Sequence, residues 1–207
     1  MSNHQGRFWL ETGGALLRIC RLSKSAGAPA LKIRYTQAMI GQSALIKVRS
    51  VKSADSDALA SLFRDSWRHA YLGIIPALHL YRMIRRRDHA WWCKSIASDD
   101  HMLVVEAAGV VAGYASCGKA RKGGRYQGEI YELYIAPVYQ GIGLGEHLFE
   151  ACRHHLDVRG LAGLIVWALA DNDGAANFYW RRGGRPVGET QERFGDTSLT
   201  KIAFGWP

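Results

Sequence analysis

A glycine-rich turn between a strand-like and a helix-like segment holds the residues that are best suited to chemistry. Residues 129–135 are mostly β-branched, aromatic or aliphatic, and Pro137 ends that run. After the turn, apolar residues recur with the 3.6-residue period of a helix. Glycines without Cβ atoms let backbone N–H groups approach a ligand at the start of that helix, which favours phosphate. The turn consists of Gln140, Gly141, Ile142, Gly143, Leu144 and Gly145.

The spacing of these glycines differs from that of two common phosphate-binding motifs. A dinucleotide-binding fingerprint would need glycine where Glu146 stands, and a nucleotide P-loop would need Gly-Lys followed by Ser or Thr, which the chain lacks. The pattern that fits is Q-x-x-G-x-G, and a second block, N-x-x-A-x-x-F-Y, runs from Asn172 to Tyr179. With these two blocks in this order, the sequence resembles the GNAT superfamily of acyl-CoA-dependent N-acyltransferases.

The resemblance covers residues 46–206 and implies a fold, a co-substrate and a reaction. The implied fold class is α/β (α+β), with a mixed, mostly antiparallel central sheet flanked by helices. Acetyl-CoA is the implied co-substrate, and its acetyl group passes to a primary amine by direct attack in a ternary complex. The turn binds the pyrophosphate in this scheme. The positions expected to bind the cofactor outside the turn are Leu133, Ile135, Asn172 and Tyr179.

Acyl transfer sets a protonation problem that a base and an acid can solve. A lysine-like amine has a pKa of about 10.4 and is almost wholly charged at neutral pH, so a base is needed to free its lone pair. The resemblance makes Glu129, eleven residues before Gln140, the first candidate. Glu132 is the second, and parity places it on the opposite strand face unless the bulge usual in this strand of the superfamily alters that. Tyr179 stands where the superfamily has the acid that protonates the leaving thiolate. The alternatives are a carboxylate paired with an arginine and a core tyrosine.

The acceptor side of the site is expected on a pair of helices, one following Asp57 and one beginning near Pro76. The stretch WRHAYLGIIP resembles bacterial members of the superfamily, in which this pair forms a wall of the acceptor site. Trp67 and Tyr71 are therefore candidates for substrate binding, with core packing as the alternative.

No metal site is predicted from the histidines. His154 and His155 are neighbours in a predicted helix, so their side chains point apart, and no carboxylate or histidine four residues away completes a set of ligands. The expected cofactor list therefore contains acetyl-CoA and no metal.

The predicted elements follow the order β-α-α-β-β-β-α-β-α-β-β, which is that of the superfamily. Alternating or apolar runs predict the strands, and apolar periods bounded by capping residues predict the helices. Predicted strands occupy residues 46–51, 101–106, 110–117, 129–135, 161–170, 186–194 and 198–206. We expect one GNAT domain over residues 45–207. Residues 1–44 are expected to be a flexible N-terminal extension or, if translation starts at Met39, an artefact.

Composition narrows the class of protein further. A length of 207 residues with 48% hydrophobic residues suits one domain with a substantial core. No apolar span or leader predicts membrane insertion or export, and the four cysteines form no close pairs. We therefore expect a cytoplasmic protein with reduced, buried thiols, and we leave a homodimer open.

The net charge of +9 raises the question of nucleic-acid binding. Residues 1–38 hold six basic residues and one acidic residue, so they carry more than half of this excess. The phosphates of CoA account for basic residues in the remaining chain, and the expected partner is a small-molecule or protein amine rather than nucleic acid. Two alternatives to an enzyme remain at this point: a non-catalytic acyl-CoA-binding regulatory module and a basic RNA- or ribosome-associated protein.

Overall fold

The computed structural model describes residues 45–98, 101–122 and 124–207. The predicted N-terminal extension and the alternative start at Met39 lie outside these residues. Within them, the helices and strands are β1 (Ile46–Ser50), α1 (Ser56–Tyr71), α2 (Ala77–Arg86), α3 (His89–Ser98), β2 (Met102–Ala107), β3 (Val110–Lys119), β4 (Gly128–Ile135), α4 (Leu144–Val158), β5 (Leu164–Leu169), α5 (Asp173–Arg181), β6 (Arg185–Phe194) and β7 (Thr197–Trp206). The predicted order is confirmed apart from one additional helix, α3.

The strands form one sheet in the order β1-β2-β3-β4-β5-β7-β6. Neighbouring strands run antiparallel except for β4 and β5, which are parallel. A parallel pair needs a crossover connection, and α4 supplies it. The predicted fold class is thus confirmed: the sheet is mixed and mostly antiparallel, with helices beside it.

Each face of the sheet has its own hydrophobic core. Leu103 and Val105 of β2 belong to the core under α4 and α5, whereas Val104 between them belongs to the core under α1, α2 and α3. This alternation is that of a strand covered on both faces. Burial of one large side chain, such as the fully buried Leu148, stabilises the fold by about 1.5–3 kcal/mol.

Helix α4 begins at Leu144, within the glycine-rich turn and at the first residue of the predicted apolar period. Its buried residues recur at helical spacing, so one apolar face packs on the sheet. They are Leu144, Leu148, Phe149, Cys152 and Leu156. The predicted amphipathic pattern is confirmed. By packing on the sheet, this face holds the start of α4 close to the end of the central strand β4.

Helix α3 is the element that the predicted order lacks. The Asp88 carboxylate accepts a hydrogen bond from the Trp91 N–H at 2.9 Å and so satisfies a donor of the first turn. Trp92 is fully buried, and its ring meets that of Trp91 with an interplanar angle of 86°. The two indoles therefore pack edge to face and form no common stacking surface, and α3 closes the core beside α1.

Candidate active site

A cleft opens in the sheet where β4 and β5 part. The two strands pair only from Gly128–Leu164 to Ile130–Val166, and residues 131–135 of β4 have no partner on β5. The cleft measures about 690 Å³, a volume suited to a ligand of cofactor size. The predicted site residues that line it are Tyr71, Glu132, Leu133, Ile135, Gln140, Gly141, Gly143, Gly145, Asn172 and Tyr179.

Four predicted site residues do not line the cleft. Leu144 is buried in the core, and the Ile142 side chain is 62% exposed. Trp67 is buried, and its ring lies 5.0 Å from that of Tyr71, so Tyr71 faces the cleft and Trp67 supports it from behind. Glu129 is the fourth, and its contacts are described below.

The glycine turn presents backbone donors at one end of the cleft. Gly141 and Gly143 have φ angles of 79° and 90°, a left-handed conformation that strains residues with a Cβ. Within the described part of the chain, the N–H groups of residues 141–145 donate no hydrogen bond to the protein. They surround the N-terminus of α4, where the helix dipole adds positive potential. This end of the cleft is therefore suited to an anion.

Two contacts hold the turn in place. The side-chain amide of Gln140 donates to the Ile135 carbonyl oxygen at 3.0 Å, which ties the turn back to β4. A Cβ at Gly145 would lie 3.3 Å from the Phe178 ring, so glycine at this position lets α4 approach α5 closely. The glutamine and the last glycine of the motif thus have a packing role whatever the ligand.

Tyr179 lines the cleft from α5 and packs against Phe149, Phe204 and Trp206. Burial raises the pKa of its hydroxyl, and nearby Tyr71 adds to that increase, so the phenol keeps its proton at neutral pH. Among the described residues, none forms a hydrogen bond with this hydroxyl. Tyr179 is therefore a neutral phenol at the cleft whose O–H can donate a hydrogen bond to a ligand.

Tyr71, at the end of α1, and Asn172, at the start of α5, also line the cleft. The Tyr71 hydroxyl lies 3.0 Å from the Tyr134 hydroxyl, and the nearby Asn172 side chain partly offsets the effect of burial on its pKa. Burial raises the pKa of Tyr71, so this network is uncharged at neutral pH. Asn172 has a second role, because its Oδ1 accepts from the Ala175 N–H at 3.1 Å and caps α5.

Glu132 is the carboxylate that β4 brings to the cleft. Arg87 contacts both of its oxygens, with Nη1–Oε2 and Nη2–Oε1 distances of 2.7 and 2.6 Å. The Tyr114 hydroxyl donates to Oε2 at 2.8 Å. A carboxylate has about four acceptor positions, so this arrangement occupies three and leaves one for a ligand. Glu132 is thus suited to accept a hydrogen bond from an amine.

Glu129 occupies a different environment on the same strand. Its side chain is 2% exposed, and Arg121 donates to it from the backbone N–H at 2.9 Å and from Nε at 3.0 Å. Parity alone would place Glu129 and Glu132 on opposite faces, but the strand has the bulge that the resemblance left open. Residue 131 is an extra residue between the pairs Cys117–Ile130 and Ser116–Glu132, so the bulge places both carboxylates on one face. Glu129 nonetheless lies outside the cleft lining.

The profile of the acetyltransferase (GNAT) family matches residues 57–184, which include both motif blocks and the cleft. The chain belongs to this family. The resemblance read from the two motifs is therefore confirmed, and the GNAT chain is an acyltransferase that requires an acceptor substrate.

Relatives of known sequence or structure agree with this assignment. YuaI, an uncharacterized N-acetyltransferase of Bacillus subtilis, is 28% identical over 164 residues, which cover 79% of this chain and 94% of that protein. The PaiA N-acetyltransferase of Thermoplasma acidophilum, solved with coenzyme A, has a TM-score of 0.64 at 18% identity over 78% of this chain and 99% of its own. YncA of Salmonella typhimurium, solved with acetyl-CoA, has a TM-score of 0.57 at 22% identity, over 78% and 93%. The GNAT fold is thus shared with structures that hold CoA compounds.

Several residues of the GNAT cleft were not among the predicted site residues. Phe178 and Tyr139 line it, and Phe178 could have been found because it belongs to the N-x-x-A-x-x-F-Y block. Trp167 lines it from β5, where it is an aromatic residue within an apolar run. Arg87, which holds Glu132 but does not itself line the cleft, carries no local signal, because its partner is 45 positions away.

The neighbouring histidines of α4 point apart, as expected. His155 faces His101 with ring centroids 5.6 Å apart, whereas His154 is exposed. Among the residues that the structure describes, no three His, Cys, Asp or Glu side chains are grouped to hold a metal ion. Over the same residues, no helix is long and apolar enough to cross a bilayer.

Proposed function

We propose that this GNAT enzyme transfers an acetyl group from acetyl-CoA to a primary amine by direct attack in a ternary complex. The observation that carries the proposal is the cleft between β4 and β5. It joins unpaired N–H groups at one end to the proton donor Tyr179 and the carboxylate Glu132. Those are the groups that a bound diphosphate, a leaving thiolate and an attacking amine each need.

The cofactor would extend from the glycine turn along β4. The pyrophosphate accepts hydrogen bonds from N–H groups of residues 141–145, and each charge-assisted bond contributes about 1.5–3 kcal/mol. The pantetheine arm lies beside the edge of β4 at Leu133 and Ile135, where β5 has diverged and the strand has no neighbour on that side. Asn172 and Tyr179 face the same arm from the other wall.

The acceptor amine must lose a proton before it attacks. At pH 7 the cost for a lysine-like amine is about 3.4 pKa units, or about 4.6 kcal/mol. Glu132 lines the cleft with one acceptor position unused, so it is the better placed of the two carboxylates to bind the ammonium and receive its proton directly or through water. Glu129 as the base stays a prediction; both carboxylates pair with an arginine, and Glu129 is the less well placed because it does not line the cleft.

The departing CoA thiolate must gain a proton, and Tyr179 is the proposed donor. It lines the cleft, and its buried phenol keeps its proton at neutral pH. Tyr71 is proposed to contact the acceptor, because it also lines the cleft. A covalent acyl-enzyme is not part of the scheme, since no cysteine among the described residues lines the cleft.

Binding and turnover test the proposal separately. Calorimetry at physiological salt should detect acetyl-CoA binding, and a panel of amines, polyamines, antibiotics and peptides should reveal an acceptor that releases free CoA thiol. With that acceptor, plots of inverse initial rate against inverse concentration should intersect, as for a ternary complex. Parallel lines would contradict direct attack, because they indicate a covalent intermediate. Absence of any heat with acetyl-CoA would contradict the cofactor assignment.

A further inference from the structure

Three side chains outside the cleft form a nucleophile, a base and an orienting acid in series. Cys93 on α3 places its Sγ 3.3 Å from Nε2 of His89, one helical turn earlier. Nδ1 of the same ring lies 2.7 Å from Oδ1 of Asp57 in the first turn of α1. A thiol within reach of an imidazole that a carboxylate orients is the signature of an activated nucleophile.

The carboxylate decides which nitrogen of His89 carries the proton. An ionised Asp57 can only accept, so Nδ1 donates to it, and Nε2 of the neutral ring presents its lone pair to the sulfur. The thiol of Cys93 can therefore pass its proton to Nε2. The resulting imidazolium donates to Asp57 and to the thiolate at once, which stabilises the charged pair.

The sulfur lies beside a helix N-terminus and is open to a reagent. Sγ lies 3.4 Å from Oγ of Ser56, which accepts from the thiol while its own hydroxyl donates to the Ser53 carbonyl oxygen. Ser56 is the first residue of α1, so the positive end of that helix dipole is close to the sulfur. The side chains of His89 and Asp57 are 58% and 86% exposed, and Cys93 is partly exposed. Cys117 and Cys152, by contrast, are buried in the core.

We propose that Cys93 is a modification site that reacts with low-molecular-weight disulfides. The thiolate attacks one sulfur of the reagent, a new S–S bond forms at Cys93, and the reagent's own S–S bond breaks. The leaving thiolate takes the proton from the His89 imidazolium and departs as a thiol. Cys93 is oxidised and the reagent is reduced, so the exchange balances without a further oxidant.

The size of the expected reagent follows from the shape of the surface. None of the three residues lines the acetyl-transfer cleft or the smaller cavity beside α4. Neither cavity can therefore hold a large substrate against the sulfur. We accordingly expect a small reagent rather than a polypeptide or an acyl-CoA.

The test measures the rate of mixed-disulfide formation at Cys93 in the full-length folded protein. Hydroxyethyl disulfide, a small neutral reagent, is added, and the adduct is quantified at each cysteine by peptide mass spectrometry. Folded protein should react at Cys93 about tenfold faster than urea-unfolded protein, because only the fold supplies the imidazole and the helix terminus. Cys117 and Cys152 should stay unmodified until the protein unfolds, since both are buried.

Variants separate the triad from general effects of charge. His89→Gln should lower the rate at Cys93 about tenfold, and Asp57→Asn should lower it by a smaller factor. Lys94→Gln is the matched control, because it removes an exposed charge next to Cys93 without touching the triad. Equal rates in folded and unfolded protein overturn the proposal, as does an equal effect of His89→Gln and Lys94→Gln. Acetyl-transfer activity retained by a variant shows that the variant is folded. If His89→Gln does not fold, the rate measured for Asp57→Asn decides between the two outcomes.

Discussion

The guanidinium of Arg87 and the carboxylate of Glu132 meet at two points, 2.7 and 2.6 Å apart, although they are 45 residues apart in sequence. Arg87 is itself sandwiched between aromatic rings, with its Cζ 4.6 Å from the ring centroids of both Phe63 and Trp91. A guanidinium fixed in this way keeps the carboxylate in one orientation. The orientation of Glu132 at the cleft therefore depends on α3, the helix that supplies Trp91.

Replacement of Glu132 should reduce use of the acceptor. Glu132→Gln keeps the shape but removes the charge that binds an ammonium and takes its proton, so kcat/KM for the acceptor should fall about a hundredfold. The dissociation constant of acetyl-CoA should stay unchanged in calorimetry. Glu129→Gln is the matched control, and it should lower the free energy of unfolding with a smaller effect on kcat/KM. The reverse ranking would return the role of base to Glu129.

Removal of the Tyr179 hydroxyl should slow turnover with little effect on cofactor binding. Tyr179→Phe keeps the ring contacts with Phe149 and Phe204 but leaves the thiolate without its donor, so kcat should fall about a hundredfold and the acetyl-CoA dissociation constant should change less than about twofold. Tyr139→Phe removes another hydroxyl from the cleft lining and serves as the control. Equal kcat values for Tyr179→Phe and the parent would remove Tyr179 from the mechanism.

Gly143 and Gly109 allow ligand binding to be separated from backbone strain. Their φ angles are 90° and 81°, and a Cβ at either would meet no atom within 4 Å. Alanine at each should therefore lower the free energy of unfolding by a similar amount, about 1–2 kcal/mol. Only Gly143→Ala places its methyl group at the proposed pyrophosphate site, so it alone should weaken acetyl-CoA binding, by about tenfold. Unchanged affinity in Gly143→Ala, measured by calorimetry, would argue against phosphate binding at the turn.

The pair of Asp55 and Arg49 should make the stability pH-dependent in acid. Arg49 donates to both oxygens of Asp55 at 2.7 and 2.9 Å, and these bonds lower the pKa of that carboxyl. The unfolded chain takes up the proton at about pH 3.9, before the folded protein does, so stability is lost as pH falls from there through the lower folded pKa. Urea unfolding should show this loss in the parent.

Asp55→Asn isolates the contribution of that carboxyl. The variant should be less stable by about 1–3 kcal/mol at neutral pH, and its deficit should shrink in acid. Asp65→Asn is the control, since Asp65 is 54% exposed and, among the residues with described positions, pairs only with the exposed Arg64. A deficit of Asp55→Asn that stays constant down to acid pH would contradict the assignment.

Local patterns were sufficient to predict most of the fold. The apolar period from Leu144 to Leu156 predicted α4, because a helix in contact with a sheet must bury one stripe of its surface. The two motif blocks predicted walls of the cleft through their resemblance to the family. They could be read from sequence because a turn or a helix cap depends on residues that are neighbours in the chain. Helix α3 was missed because it has no comparable stripe, although Asp88 offered a capping signal.

The catalytic side of the site was less predictable because it depends on contacts between distant segments. The choice between Glu129 and Glu132 rests on the bulge at residue 131 and on partners from two other segments, Arg121 and Arg87. The alternation of residues within one strand reveals neither the bulge nor the two arginine partners. The pairing of Cys93 with His89 is within one helical turn, yet Asp57 comes from another helix.

The opening between β4 and β5 arises from two main chains that diverge, so its width does not depend on the side chains around it. Exchange of Tyr71 or Trp167, which line the cleft, would reshape its walls and leave the backbone N–H groups of the glycine turn in place. We therefore expect that a few point replacements in the walls could change which amine such a scaffold accepts, while the acetyl donor stays the same.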